Sequence, residues 1–128
     1  MKTPELPTYD HQPKPYAGPS LDEVISLRRR YLTPALVTYY KKPIMIVAGS
    51  MQYLFDEKGK RYLDGIAGIV TVSVGHCHPY VTQKGRDQLE TLQHATTIYL
   101  NPVIAEYGEM LAARLPGNRT VCYFVNSG

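Results

Sequence analysis

The chain has 128 residues, the size of one ordinary domain, and its 44% hydrophobic and 20% charged residues make a globular composition rather than a disordered one. A net charge of +3 without a long basic block speaks against nucleic acid as a partner. The longest nearly uncharged stretch, residues 65–75, is too short to cross a bilayer. Two cysteines, Cys77 and Cys122, are too few for a disulfide scaffold.

Eleven Tyr stand beside two Phe and no Trp, so nearly all aromatic area carries a hydroxyl that needs a rim position, a buried partner or an interface. Residues 1–20 hold Pro4, Pro7, Pro13, Pro15 and Pro19 together with the acids Glu5 and Asp10. That pattern fits neither a secretory signal nor a basic transit helix, and it predicts an extended arm.

Ser20 followed by Glu23 is a capping box, which predicts a helix from Leu21. Val24, Ile25 and Leu27 give it an apolar edge, Arg28, Arg29 and Arg30 suit its negative end, and Pro34 stops the run. Residues 44–48, 51–55 and 61–63 then read as a small antiparallel meander, with Gly49-Ser50 as one turn and Lys58-Gly59 at the tip of the other. In it Tyr53 and Phe55 share one face.

Residues 65–79 read GIAGIVTVSVGHCHP. Gly65 and Gly68 lack the spacing of a dinucleotide fingerprint. His76, Cys77 and His78 suggest a metal, but neighbours on an extended chain point to opposite sides, and His11, His94 and Cys122 stand at no ligand spacing. No metal site is therefore expected. Pro79 suits the first turn of a helix capped by His78, with Val81, Gly85, Leu89 and Leu92 along one face of residues 80–94. Asn101-Pro102 starts a second helix, lined by Ile104, Tyr107 and Leu111 and closed by Leu115-Pro116-Gly117. Residues 121–125 read as a short buried strand running into Asn126-Ser127-Gly128. Such a strand and turn form the front half of a phosphate-binding strand–turn–helix, and the chain reads as a fragment.

These residues resemble the N-terminal part of the class III, fold type I, pyridoxal-phosphate aminotransferases, of the alanine–glyoxylate aminotransferase 2 type. The resemblance is carried by residues 52–56, Arg61-Tyr62-Leu63-Asp64, residues 68–79, Tyr99-Leu100-Asn101-Pro102, Leu115-Pro116-Gly117-Asn118 and residues 123–128. The Gly-His-Cys-His-Pro loop and Val-Asn-Ser-Gly at this separation are together specific. The resemblance implies an α/β fold: an extended arm (1–20), an N-terminal segment of the small domain with helix and meander (21–78), and the start of the large cofactor domain (79–128), truncated at the phosphate loop.

It implies pyridoxal 5'-phosphate as cofactor, with Ser127 and Gly128 opening the loop that holds the phosphate. Ile69 falls at a substrate-pocket position where ornithine-using relatives carry a hydroxylated aromatic residue, so an aliphatic side chain favours a shorter or neutral donor. The family's Schiff-base lysine, the carboxylate at the ring nitrogen and the substrate-clamping arginine lie beyond residue 128, so no catalytic residue is expected in this chain. Lys41, Lys42, Lys58, Lys60 and Lys84 match no such motif.

The implied activity is transfer of an amino group from L-alanine to glyoxylate, with small amino and keto acids as partners, a homodimer, no nucleic acid and no membrane. The implied location is mitochondrial, with the cytoplasm as the alternative because no targeting segment is visible in this chain. A 4-aminobutyrate or other ω-amino acid aminotransferase is the near alternative. A small non-catalytic binding or metal module built on His76, Cys77 and His78 is the alternative from another class.

Overall fold

The computed structural model describes residues 10–118 and 120–126. The chain divides into two compact units, Met1–Gly85 and Arg86–Gly128. In the first, residues 10–20 carry no helix or strand, and the His11 ring lies 5.9 Å from that of Phe55.

Helix α1 spans Leu21–Tyr31. Its capping box is complete: the Glu23 N–H donates to Ser20 Oγ at 3.3 Å, and the Ser20 N–H donates to Glu23 Oε2 at 2.7 Å. The two groups satisfy orphan donors that the first turn would otherwise leave to water. The Ser20 hydroxyl and N–H hold the Glu23 carboxyl below its ordinary range. At the other end Arg28 Nη2 donates to the Leu36 carbonyl at 2.8 Å, so this cation ties down the following loop.

Strands β1 (Ile46–Ser50), β2 (Tyr53–Asp56) and β3 (Arg61–Leu63) form an antiparallel sheet in the order β1-β2-β3. The meander is as expected, but the first turn is not. Gly49 and Ser50 pair with Leu54 and Tyr53 inside the sheet, and the chain reverses at Met51 and Gln52. Gly49 is needed in the strand for a different reason: a Cβ there would meet His76 Cβ at 2.9 Å. The second turn is held by Asp56. Its Oδ1 accepts from the N–H groups of Lys58 and Lys60 at 3.0 and 2.9 Å, and its Oδ2 from the Tyr62 hydroxyl at 2.8 Å. Burial pushes this carboxyl up, but those donors outweigh it and hold it below its ordinary value. The same bond raises the Tyr62 phenol.

Three helices follow. The short α2 (Ala67–Val70) is left-handed in its interior, and α3 spans Pro79–Thr91. Helix α4 spans Pro102–Ala112, and Asn101 Oδ1 caps it by accepting from the Val103 N–H at 2.9 Å.

Residues 121–125, expected as a buried strand, form no strand. A strand is defined by its ladder partners, and no described residue supplies one. Val121 and Tyr123 are about nine-tenths exposed. The segment is instead anchored by side chains, with Phe124 stacked on Tyr107 at 5.2 Å and Cys122 Sγ donating to the Gly108 carbonyl at 3.5 Å.

Among the described residues only Phe55 and Asp56 are buried. Val81, Leu89 and Leu92 of the expected α3 face and Ile104 and Tyr107 of the α4 face are all about half exposed or more. Helix faces patterned for a core are thus uncovered, and the isolated chain should self-associate or bind a hydrophobic dye while melting without a sharp transition. A cooperative melt of a dye-free monomer would contradict this.

Candidate functional site

The β1–β2 turn and the loop after β3 meet at one place. The Asp64 N–H donates to the Gln52 carbonyl at 2.9 Å, while Met51 and His76 exchange two backbone hydrogen bonds of 2.7 Å each. The β1–β2 turn therefore grips both ends of the loop 64–76. Gly75, at φ +100°, permits the second grip: a Cβ there would stand 3.0 Å from Met51 Cα. Side chains close the same loop, since His76 Nε2 lies 2.6 Å from Asp64 Oδ2.

Asp64 also serves the loop interior. Its Oδ1 accepts from the N–H groups of Ile66 and Ala67 at 3.0 and 2.9 Å. The His76 ring, then these two amides, hold the Asp64 carboxyl below its ordinary range. An ionised carboxylate can only accept, so His76 presents its Nε2 as the N–H donor.

Directly after these amides the backbone turns left-handed. Ala67, Gly68, Ile69 and Val70 have φ of 51°, 61°, 61° and 64°. For the three residues with a side chain this costs roughly 1–2 kcal/mol each, and β-branched Ile and Val are the least tolerant. The turn is held by Asp64 at its start and by Thr71 Oγ1, which donates to the Gly68 carbonyl at 2.8 Å. Ile69, the expected substrate-pocket residue, sits in the middle of it with 82% of its surface exposed. Strain held in place next to an exposed side chain is a recurrent mark of functional loops.

The three residues after Gly75 do not converge. His76 points to Asp64, Cys77 is exposed, and the His78 carbonyl accepts from the Thr82 N–H in the first turn of α3 at 2.9 Å. His78 Nδ1 is buried without a hydrogen-bond partner among the described residues. No three His, Cys, Asp or Glu gather as a metal site among the described residues. Ser127 and Gly128, expected to bind the cofactor phosphate, lie outside the described residues. Their approach, residues 120–126, runs past Gly108 and Tyr107 of α4.

Sequence reasoning missed the Asp64–His76 pair. Both residues lie within the motifs quoted above, twelve apart, but nothing in their spacing reports a loop that closes on itself.

Two outcomes follow from this geometry. Because the folded Asp64 carboxyl is depressed, its contribution is complete above the ordinary carboxylate value of about 3.9 and is lost as the pH falls below it. The Ile66 and Ala67 amide shifts should be constant above pH ~4 and move below it. Separately, Gly49→Ala should push the His76 Cβ away and break its bond to Asp64. The His76 ring resonances would then resemble those of a solvent-exposed imidazole, and unchanged resonances would refute the contact.

Comparison with known proteins gives the site its context. Residues 37–128 match the aminotransferase class-III family. The chain is 50% identical over 123 residues to the mitochondrial alanine–glyoxylate aminotransferase 2 homolog 2 of Arabidopsis thaliana, covering 96% of this chain and 26% of that one. It is 42% identical over 125 residues to the mitochondrial alanine–glyoxylate aminotransferase 2 of Homo sapiens, covering 98% and 24%. The chain therefore spans about a quarter of the length of these curated relatives.

Among solved structures, an Arthrobacter phospholyase in complex with phosphoethanolamine is 34% identical with a TM-score of 0.65, covering 73% of this chain and 22% of that chain. An (S)-enantioselective ω-transaminase from Thermomicrobium roseum is 28% identical with a TM-score of 0.65, covering 80% and 24%. The helices and small antiparallel sheet seen here fit the N-terminal part of that fold, as the sequence predicts. By the family match and by these likenesses, the chain belongs to the class-III aminotransferases.

Proposed function

We propose that this chain is the N-terminal portion of an aminotransferase that moves the amino group of L-alanine to glyoxylate, giving pyruvate and glycine. The observation that carries this reading is the 50% and 42% identity, over nearly all of the chain, to two proteins named for that activity. Solved relatives named for other reactions, the phospholyase and the ω-transaminase, share 34% and 28%. That difference favours L-alanine over 4-aminobutyrate or another ω-amino donor. Both curated relatives are named mitochondrial, which supports the same location here. The uncovered helix faces support assembly with further protein, in keeping with a homodimer whose arm (1–20), small-domain segment (21–78) and start of the large domain (79–128) lie in this stretch.

Pyridoxal 5'-phosphate is the cofactor of this reading. A solved ornithine aminotransferase from Toxoplasma gondii, 26% identical, carries it at partial occupancy in its active site. By residue type Ser127 and Gly128 suit the group, since a hydroxyl and the backbone N–H of a residue without a side chain are what a phosphate dianion takes. When bound, the cofactor supplies a carbonyl that carries the amino group between substrates and a ring that withdraws electrons.

This chain's own residues bind and shape. Ser127 and Gly128 would hold the phosphate. Ile69 forms an apolar wall that offers no hydrogen bond to a second polar group on the donor, which suits the methyl side chain of alanine. Proton transfer belongs to residues outside this chain.

In the full-length protein, Ser127→Ala should weaken cofactor binding by roughly ten- to a hundred-fold, the equivalent of a charge-assisted hydrogen bond. A side chain at Gly128 should weaken it more, and Ile69 variants should keep cofactor and alter donor choice. Equilibrium cofactor titrations and glyoxylate-dependent pyruvate formation measure these effects. Loss of cofactor in Ile69 variants with retention in Ser127 and Gly128 variants would reverse the assignment. Activity with 4-aminobutyrate and none with L-alanine would replace the proposed donor.

A further inference from the structure

Ile69 is exposed and its backbone is strained, so something must hold it in place. Ile66, Ile69 and Val70 are each more than two-thirds exposed, and only Ala67 among residues 66–70 is half-buried. Packing therefore does not fix the turn. Hydrogen bonds do: Thr71 Oγ1 donates to the Gly68 carbonyl within the turn, and Asp64 holds its start. One oxygen takes the N–H groups of Ile66 and Ala67, immediately ahead of Ile69, and the other takes His76 Nε2–H. His76 is in turn fixed by its two backbone bonds to Met51 and by the bare Cα of Gly49 against its Cβ. The chain of contacts runs without a gap from the sheet to the amides that start the left-handed turn.

We propose that Asp64, braced by His76, is a positioning residue that holds the Ile69 turn and thereby selects the amino donor. It touches neither substrate nor cofactor. This rests on the reading of Ile69 as a pocket wall, and its consequence differs from that of a carboxylate that merely stabilises the fold. Asp56 provides the contrast: it also accepts three hydrogen bonds, but they hold the 57–60 turn.

In the full-length protein, Asp64→Ala should displace the Ile69 turn. The Ile69 δ1 methyl resonance should shift, and kcat/KM for L-alanine should fall at least tenfold. The ratio of kcat/KM values for L-ornithine and L-alanine should change at least fivefold, with cofactor affinity within threefold of the parent. Asp64→Asn keeps an oxygen for the Ile66 and Ala67 amides and should restore the methyl position and most of the donor ratio. His76→Ala should fall between the two. Asp56→Asn should leave both readouts alone.

An Ile69 methyl unmoved by Asp64→Ala overturns the proposal, even if activity falls. So does a donor ratio altered equally by Asp56→Asn and Asp64→Ala. A different result marks failure of the underlying reading: if Ile69→Ala itself leaves the donor ratio unchanged while the methyl moves in Asp64→Ala, Ile69 is no pocket wall and selection through Asp64 falls with it. Should Asp64→Ala fail to fold, the Asn and His76→Ala variants carry the same comparison.

Discussion

The Asp64 carboxylate accepts three hydrogen bonds, and each ties down a different piece of chain: the His76 ring at the far end of the loop, and the Ile66 and Ala67 amides at its near end. Without it the loop 64–76 would keep its backbone bonds to Met51 and Gln52 but lose the side-chain staple between its ends. Its first turn is a conformation that Ala67, Ile69 and Val70 would leave if released. An ionised acceptor suits this task because it orders several N–H donors at once without needing a proton of its own. The pull of those donors is also what keeps it ionised.

Asp56 and Asp64 show how a chain with little buried apolar surface keeps local order. Each closes a loop of its own with backbone N–H groups and one side-chain partner, Tyr62 in the first case and His76 in the second. Polar staples of this kind act over a few residues and require no deep core. The apolar faces of α3 and α4 are different. Among the described residues they are left largely open, Phe124 on Tyr107 apart, in keeping with a chain about a quarter as long as its relatives. Local polar order and incomplete apolar burial thus coexist in one chain.

The parts legible in the sequence were those decided locally. Ser20 with Glu23, and Asn101 ahead of Pro102, announce helix starts because capping is a matter of at most four consecutive residues. Alternation and a Lys58-Gly59 tip announce the meander. The Gly49-Ser50 turn was misplaced because a glycine can serve close approach as well as reversal, and only the neighbouring His76 tells which. Residues 121–125 have strand composition, yet strand formation depends on partners elsewhere. The left-handed turn was invisible for the opposite reason: Ile69 and Val70 are residues that composition assigns away from such a conformation, so tertiary hydrogen bonds had to override preference. The family motifs contained Asp64 and His76 but said nothing of their bond.

The grip of the β1–β2 turn on the loop 64–76 has a consequence for the order of assembly. The meander closes through contacts a few residues apart, which form on the microsecond scale of hairpins. The loop cannot be stapled until Met51 and Gln52 are presented in that turn, because their backbone groups are its anchors. Its closure therefore depends on the hairpin, and the strained segment it carries depends on both. A defect in the hairpin would appear downstream as a misformed loop, although no residue of the loop had changed.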